Sequence, residues 1–241
     1  AGVATEVIPG VFVGDVHIAK NESKLCDLGI THILNCVGQT HPNFFPRQFN
    51  YMKIEMKDNP SEEIFCLFYD AIDFIEQAIQ QGKVLVHCKC GISRSTAICI
   101  AYIMYKQNCT YRNAFETLHR ARPVCSPNAG FIIALQSWQS HLNGEPLKSP
   151  RLYKIGDKSG TSQVVSFNRT PSNCYILHTN TSLHIWRGSD TNEDIIDSAH
   201  RFINQLQKYE HATNTVVTEH EDEESTSFLD SLSNMNQEFR T

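Results

Sequence analysis

Cys88 and Arg94 stand at the two ends of a seven-residue loop, Cys88-Lys-Cys-Gly-Ile-Ser-Arg94, followed at once by Ser95. A free cysteine has a pKa of about 8.5 and is mostly thiol at neutral pH. In a nest of backbone N–H groups at a helix start, beside a guanidinium, the thiolate is favoured. The planar fork of Arg94 can hold two phosphoryl oxygens at once. A thiolate beneath a tetrahedral dianion is set for in-line attack on phosphorus and a cysteinyl-phosphate intermediate. Ser95 is placed to donate to the sulfur when it leaves again. The backbone of Lys89, Cys90, Gly91, Ile92, Ser93 and Arg94 is expected to wrap the phosphate, and Gly91 suits the tightest part of the curl. A zinc reading of His87, Cys88 and Cys90 lacks the second pair of ligands at the usual spacing.

Such a loop must be held by a strand and a helix. Lys83 to Val86 follow Gly82 as a short aliphatic run and read as a buried strand. From Thr96 the chain reads as an apolar helix, whose dipole adds positive potential at the loop. The chemistry also needs a general acid on a segment outside the loop. Asp58 lies about thirty residues upstream in the turn Lys57-Asp58-Asn59-Pro60-Ser61. Glu55, in an alternating strand Tyr51–Met56, and Asp70, well along a helix, are the fallback candidates. Ser61 is the expected N-cap of a helix running to about Gln81, with Gly82 ending it.

His87-Cys88-x5-Arg94-Ser95 resembles the signature of the cysteine-dependent protein tyrosine phosphatases. Asp58-x-Pro60-Ser61-Glu62, Ala101-Tyr102-Ile103-Met104 and the turn Pro127-Asn128-x-Gly130-Phe131 are similar to the dual-specificity branch, so the resemblance covers residues 4 to about 142. It implies an α/β cysteine-phosphatase fold, a parallel-rich central sheet flanked by helices, with the active loop at a strand's carboxyl end. It also implies Asp58 as the acid, and His87 and Asn128 as loop supports, with His87 favouring a low cysteine pKa. Cys90 departs from the commonest loop sequences; it is a conceivable trap for oxidised Cys88, though the inert reading is the expected one. The mechanism calls for no cofactor and no metal.

The composition fits this. A chain of 241 residues with 41% hydrophobic and 20% charged content is that of a globular protein with one large or two small domains. A net charge of −5 gives no hint of nucleic-acid binding. No apolar run approaches the roughly 20 residues that span a bilayer, and no signal peptide is read at the start. The nine cysteines, scattered along apolar segments, suggest reduced thiols and a cytoplasmic, or also nuclear, protein. The Asn-x-Ser/Thr sites at Asn21, Asn108, Asn168 and Asn180 are then chance.

Elsewhere in the first part, two strands flank Pro9-Gly10, a helix is expected from Asp15 to Leu28, and a buried strand from Thr31 to Cys36. Thr110 caps a helix to Arg120, and a last helix runs from Ser126 to Leu142. The domain boundaries so drawn are 1–142, a polar linker 143–150 with two prolines, and 151–241. In the second domain, strands are expected at Arg151–Ile155, Gln163–Phe167, Cys174–His178, Leu183–Arg187 and Asn214–Thr218. A long amphipathic helix runs from Asn192 to Tyr209 and a short one over Phe228–Leu232. That order, with Leu152-Tyr153, Cys174-Tyr175-Ile176-Leu177, Ile185-Trp186-x-Gly188 and Asn192-Glu193, resembles a single gelsolin repeat, a small α/β domain. Calcium-binding repeats carry Gly-Asp where this chain has Ser172-Asn173, which leaves Glu193 without a carboxylate partner and implies weak or absent calcium binding. The acidic run 219–224 becomes a loop in that frame.

A dual-specificity phosphatase followed by a gelsolin-like repeat resembles the plant-type mitogen-activated protein kinase phosphatases. The resemblance implies a phosphorylated protein substrate, such a kinase, with the second domain docking a protein rather than binding actin, and with no nucleic-acid or membrane partner. Two alternatives stand beside it. Phosphoinositide phosphatases share a Lys after the Cys, as Lys89 here, but add a second loop Lys where this chain has Ile92. A gelsolin-like actin-binding scaffold with a dispensable phosphatase domain is the other.

Overall fold

In the computed structural model, which describes residues 2–156, 161–164 and 166–238, the chain divides into two units, Ala1–Ser140 and His141–Thr241. The first unit begins with β1 (Thr5–Ile8) and β2 (Val11–Gly14), antiparallel around Gly10, whose φ of 82° needs glycine. Two short helices follow, α1 (Val16–Ala19) and α2 (Glu22–Asp27). The sequence predicts one helix over this stretch. It is split because Asp15 and Asn21 each cap a new start, Asp15 Oδ1 accepting from the N–H groups of His17 and Ile18 and Asn21 Oδ1 from that of Lys24.

The sheet is completed by β3 (Ile30–Asn35), β4 (Asn50–Lys53) and β5 (Lys83–His87), in the order β1-β2-β5-β3-β4. All pairs beyond β1–β2 are parallel, and β5 is buried on both faces from Val84 onward, as a central parallel strand must be. One face carries the cluster of Phe12, Ile18, Leu25, Ile33 and Leu85 beneath α1 and α2. The other face is covered by α3 (Leu67–Gln81) and α4 (Arg94–Gln107). Residues Ser95 to Met104 of α4 are all buried, so this helix is apolar all round because it lies inside the domain. Then come α5 (Tyr111–Ala121), capped by Thr110, and α6 (Ala129–Leu142). Trp138 of α6 is fully buried against the rings of Phe65, Phe68 and Tyr69, centroids 5.7, 5.7 and 5.2 Å away, and its indole N–H donates to the Ala101 carbonyl.

Two further expectations are corrected. Ser61 does not cap α3, which starts six residues later at Leu67. The Asn59 Oδ1 accepts from both the N–H and the hydroxyl of Ser61, closing a local turn that takes the place of a helix start. The strand over Tyr51–Met56 ends at Lys53; the Ile54 N–H still donates to the Asn35 carbonyl of β3, and Glu55 and Met56 lie beyond the sheet.

The second unit has a five-stranded sheet, β10-β9-β8-β6-β7, formed by β6 (Arg151–Ile155), β7 (Thr161–Val164), β8 (Cys174–His178), β9 (Ser182–Arg187) and β10 (Thr215–His220). Only β9–β10 is parallel. The side chains of β6 alternate. Tyr153 meets Phe202 of α7 (Glu193–Tyr209) on one face, while Leu152 joins Trp186, Phe228, Leu232 and Met235 on the other, under α8 (Thr226–Glu238). The strand expected over Gln163–Phe167 is shorter; Val165 lies outside the described residues, and the ring of Phe167 packs on Trp186 instead. The acidic run is not all loop. Glu219 belongs to β10 and is buried, accepting from the Ser225 N–H and hydroxyl and pairing with His184 at 2.7 Å. The segment 143–150 is tied down at Leu147, whose N–H and carbonyl both bond the side chain of Asn180, which occupies that sequon's carboxamide.

Trp138→Ala removes the largest side chain of the first core, and the expected loss is about 3–5 kcal/mol. Denaturant unfolding followed by a probe in the first unit measures it.

Candidate active site

The loop after β5 leaves the sheet at the carboxyl end of its central strand, where parallel sheets place ligand crevices. Its carbonyl and amide groups are fixed from three sides. Cys88 N–H reaches the Gly14 carbonyl, Val16 N–H donates to the Lys89 carbonyl, and Ser126 N–H donates to the Ile92 carbonyl. Thr96 Oγ1 donates to the carbonyls of Ile92 and Ser93. Gly91 takes φ 68°, and a Cβ there would press on the Gly14 carbonyl and on Arg122. The helix starts at Arg94, two residues earlier than the sequence predicts, so Arg94 and Ser95 are in its first turn.

This curl aims its donors inward. Cys88, 1% exposed, has its sulfur 3.1 Å from the Gly91 N–H nitrogen and 3.2 Å from Ser95 Oγ. Burial pushes the thiol pKa up. Donation from the Ser95 hydroxyl and from the N–H groups of Ser95, Gly91 and Ile92 outweighs it and holds the pKa below that of an ordinary cysteine. His87 adds no charge: burial pushes its imidazole down to about 4, so it is neutral, and its Nδ1 has no hydrogen-bond partner among the described residues. Lys89, Cys90 and Ile92 carry exposed side chains, and Cys90 is a free thiol.

Arg94 lies beside this cradle. Its Nη1 donates to the Met56 carbonyl, at 3.3 Å, which the early end of β4 makes available. Its Nε is buried and has no hydrogen-bond partner among the described residues; the Asp58 carboxylate stands 3.7 Å off. An unpaired buried guanidinium N–H is costly, and an oxyanion is the group that would satisfy it.

Asp58 reaches the loop from the opposite rim. Its Oδ1 accepts from Ser93 Oγ at 2.7 Å and from Asn128 Nδ2 at 3.0 Å, which leaves Oδ2 toward Arg94. Asn128 also receives the Phe131 N–H on its Oδ1 and donates its own N–H to Ser93 Oγ, so one residue caps α6 and bridges acid turn to loop. Gly130 lets the turn approach, since any Cβ there would run into the Pro60 carbonyl. The fallback carboxylates are placed elsewhere: Glu55 is exposed beside Lys53, and Asp70 lies on α3.

Two residues escape the sequence reading. Arg122 is buried, with Nε donating to the Gly91 carbonyl at 2.8 Å and Nη1 to Thr5 Oγ1, so it ties the loop to β1. The only signal for it was its place before Pro123 at a helix end. The Ser93 side chain, expected to matter only through its backbone, anchors Asp58. Among the described residues no group of three or more His, Cys, Asp or Glu is placed to hold a metal ion.

Residues 11–141 match the family described as dual specificity phosphatase, catalytic domain. The chain is 29% identical to the protein-tyrosine-phosphatase MKP1 of Arabidopsis thaliana over 96% of its own length and 31% of that protein's. It is 40% identical to the MAP kinase phosphatase with leucine-rich repeats protein 3 of Dictyostelium discoideum, over 58% of this chain and 16% of that one. These curated relatives are thus much longer, the chain spanning less than a third of either. Among solved structures, the human tyrosine phosphatase-like serine/threonine/tyrosine-interacting protein superposes with a TM-score of 0.54 at 38% identity, covering 57% of this chain and 95% of that one. Human DUSP28 gives 0.56 at 30% identity, covering 58% and 98%.

A lowered pKa keeps the thiolate at more acidic pH. Alkylation of Cys88 by iodoacetamide is therefore expected to reach half its maximal rate below the pH of about 8.5 of a free cysteine. Ser95→Ala moves that midpoint upward. Losing one hydrogen bond to a charged group, about 1.5–3 kcal/mol, cuts the rate on the acidic limb by roughly tenfold or more.

Proposed function

Because this chain belongs to the dual specificity phosphatase family, we propose that it hydrolyses phosphate esters on protein side chains through a phosphocysteine at Cys88. The observation that carries this is the pairing, at one loop, of a thiol driven toward thiolate with the buried Nε of Arg94, which has no hydrogen-bond partner among the described residues. Arg94 and the loop N–H groups hold the phosphoryl oxygens. The Cys88 thiolate attacks phosphorus in line, the bond to the side-chain oxygen breaks, and Asp58, protonated, gives that oxygen its proton. In the second step the Asp58 carboxylate takes a proton from water, the water oxygen attacks phosphorus, and the S–P bond breaks. Ser95 donates to the thiolate as it leaves. Ser93 and Asn128 hold the acid in place, and Arg122 holds the loop.

The substrate we propose is a mitogen-activated protein kinase phosphorylated on threonine and tyrosine. The Dictyostelium relative bears MAP kinase phosphatase in its name, and the Arabidopsis protein-tyrosine-phosphatase aligns along both units. For the second unit we propose a gelsolin-like repeat that docks a protein. A mixed sheet with a long helix on one face and a shorter one on the other supports this. Glu193 pairs with Arg187 at 3.3 Å, which speaks against its use as a calcium ligand.

Phosphate release from a doubly phosphorylated Thr-x-Tyr kinase, in excess chelator, tests the reading. Cys88→Ser is expected to be dead. Asp58→Asn is expected to lose about 10²–10⁴-fold on the kinase, and less on p-nitrophenyl phosphate, whose leaving group needs little protonation. Full activity of Asp58→Asn on phosphothreonine would remove Asp58 from the acid role. Turnover of the aryl ester alone would reject the kinase, and turnover of neither would reject the enzyme.

A further inference from the structure

Ser182, His184 and Glu219 form a line of hydrogen bonds in the second unit that the phosphatase chemistry leaves unused. Ser182 and His184 alternate along β9 and so share one face of the sheet. Glu219 comes from β10, the parallel neighbour of that strand. Ser182 Oγ lies 2.8 Å from His184 Nε2, and His184 Nδ1 lies 2.7 Å from Glu219 Oε1. A hydroxyl on one imidazole nitrogen, with a carboxylate orienting the other, is the arrangement that activates an alcohol as a nucleophile.

The protons of this line can be placed. Burial pushes the Glu219 pKa up, but donation from the Ser225 N–H and hydroxyl and from His184 outweighs it, so the side chain is a carboxylate. A carboxylate only accepts. His184 Nδ1 therefore carries the hydrogen, and in the neutral ring Nε2 presents its lone pair to Ser182. Thr179 Oγ1 also lies 2.9 Å from Ser182 Oγ. That oxygen already accepts from the N–H groups of Thr181 and Ser182 and donates its own hydrogen to the Ser182 carbonyl. Its lone pairs are taken, so the Ser182 hydroxyl hydrogen goes to His184. The base and its carboxylate are each 2% exposed, and the Phe228 ring, 5.7 Å from the imidazole, packs beside them. Ser182, at the start of the strand, is half-buried and reachable from solvent.

We propose that Ser182 is a second nucleophile of this chain, one that takes the acyl group of a carboxylic ester, with His184 as its base and Glu219 orienting that base. Ser182 Oγ attacks the carbonyl carbon as its proton passes to His184 Nε2. The carbonyl electron pair moves onto oxygen and returns as the bond to the alcohol oxygen breaks. His184 gives the proton to that oxygen, leaving acyl-serine and free alcohol. Water then takes the same route. It loses a proton to His184, its oxygen joins the acyl carbon, the bond to Ser182 Oγ breaks and Oγ recovers the proton, releasing the carboxylic acid. The N–H groups of Thr181 and Ser182 converge beside the nucleophile, and an acyl oxygen displacing the Thr179 hydroxyl would meet both.

The inference goes beyond the docking role of this unit and is independent of Cys88, so the whole chain carrying Cys88→Ala is used and the thiol cannot react. It is treated with an alkyl fluorophosphonate, from which the serine displaces fluoride, then digested with trypsin and mapped by fragmentation. It is also mixed with p-nitrophenyl acetate. The expected results are a phosphonyl group on Ser182, within the peptide Thr170–Arg187, and a stoichiometric burst of p-nitrophenolate. Ser182→Ala loses both. Glu219→Gln and His184→Gln slow the labelling by roughly a hundredfold or more. Thermal unfolding of each variant shows whether it is folded, and Ser182→Ala, which trims one half-buried side chain, decides if the other two are not. No labelling at all, labelling confined to other serines, a burst that survives Ser182→Ala, or an equal rate in folded Glu219→Gln and His184→Gln overturns the proposal.

Discussion

Taking a thiolate out of water is unfavourable, and burial alone would leave Cys88 an inert thiol like its neighbours. Cys99, on the helix packed against it, shows that outcome: its pKa is pushed well above the ordinary cysteine range by burial. What separates the two is the supply of donors. Cys88 receives the Ser95 hydroxyl and three backbone N–H groups at a helix start, and Cys99 has no comparable set. Those donors converge only while the loop keeps one tight curl. Most of the first unit can be understood as the means of keeping it.

The curl is enforced by groups far apart in sequence. Arg122 clamps the Gly91 carbonyl to β1, Thr96 fastens the carbonyls of Ile92 and Ser93, and β2 and α1 hold its outer edge. The Asp58 turn is fastened to the same loop by Ser93 and to α6 by Asn128. The Cys88 loop and the Asp58 carboxylate thus share a residue, Ser93, so a shift of one is transmitted to the other. This is the preorganisation that the proposed phosphoryl transfer would call for, since its barrier falls through positioning and fixed charge more than through covalent chemistry.

In the second unit, burial of Glu219 with His184 and Ser225 makes an acidic residue part of the core, a role that only full hydrogen bonding permits.

The amino-acid sequence alone made the proposed chemistry legible: Cys88, Arg94 and Ser95 are bound by local spacing, and a strand, a loop and an apolar helix are all the geometry that spacing needs. It also carried the strand and helix order of both units, because periodicity of two or three and a half residues is a local signal. The break before Asn21 and the absence of a helix start at Ser61 were missed, because Asn21 and Asn59 offer the backbone competing side-chain bonds that periodicity does not register. Only the tertiary structure decided that Arg122 and the Ser93 hydroxyl hold the loop and that Glu219 is inside. Each of these depends on which strands and helices become neighbours. Such contacts join residues from about thirty to more than a hundred positions apart, and no local pattern in the chain encodes them.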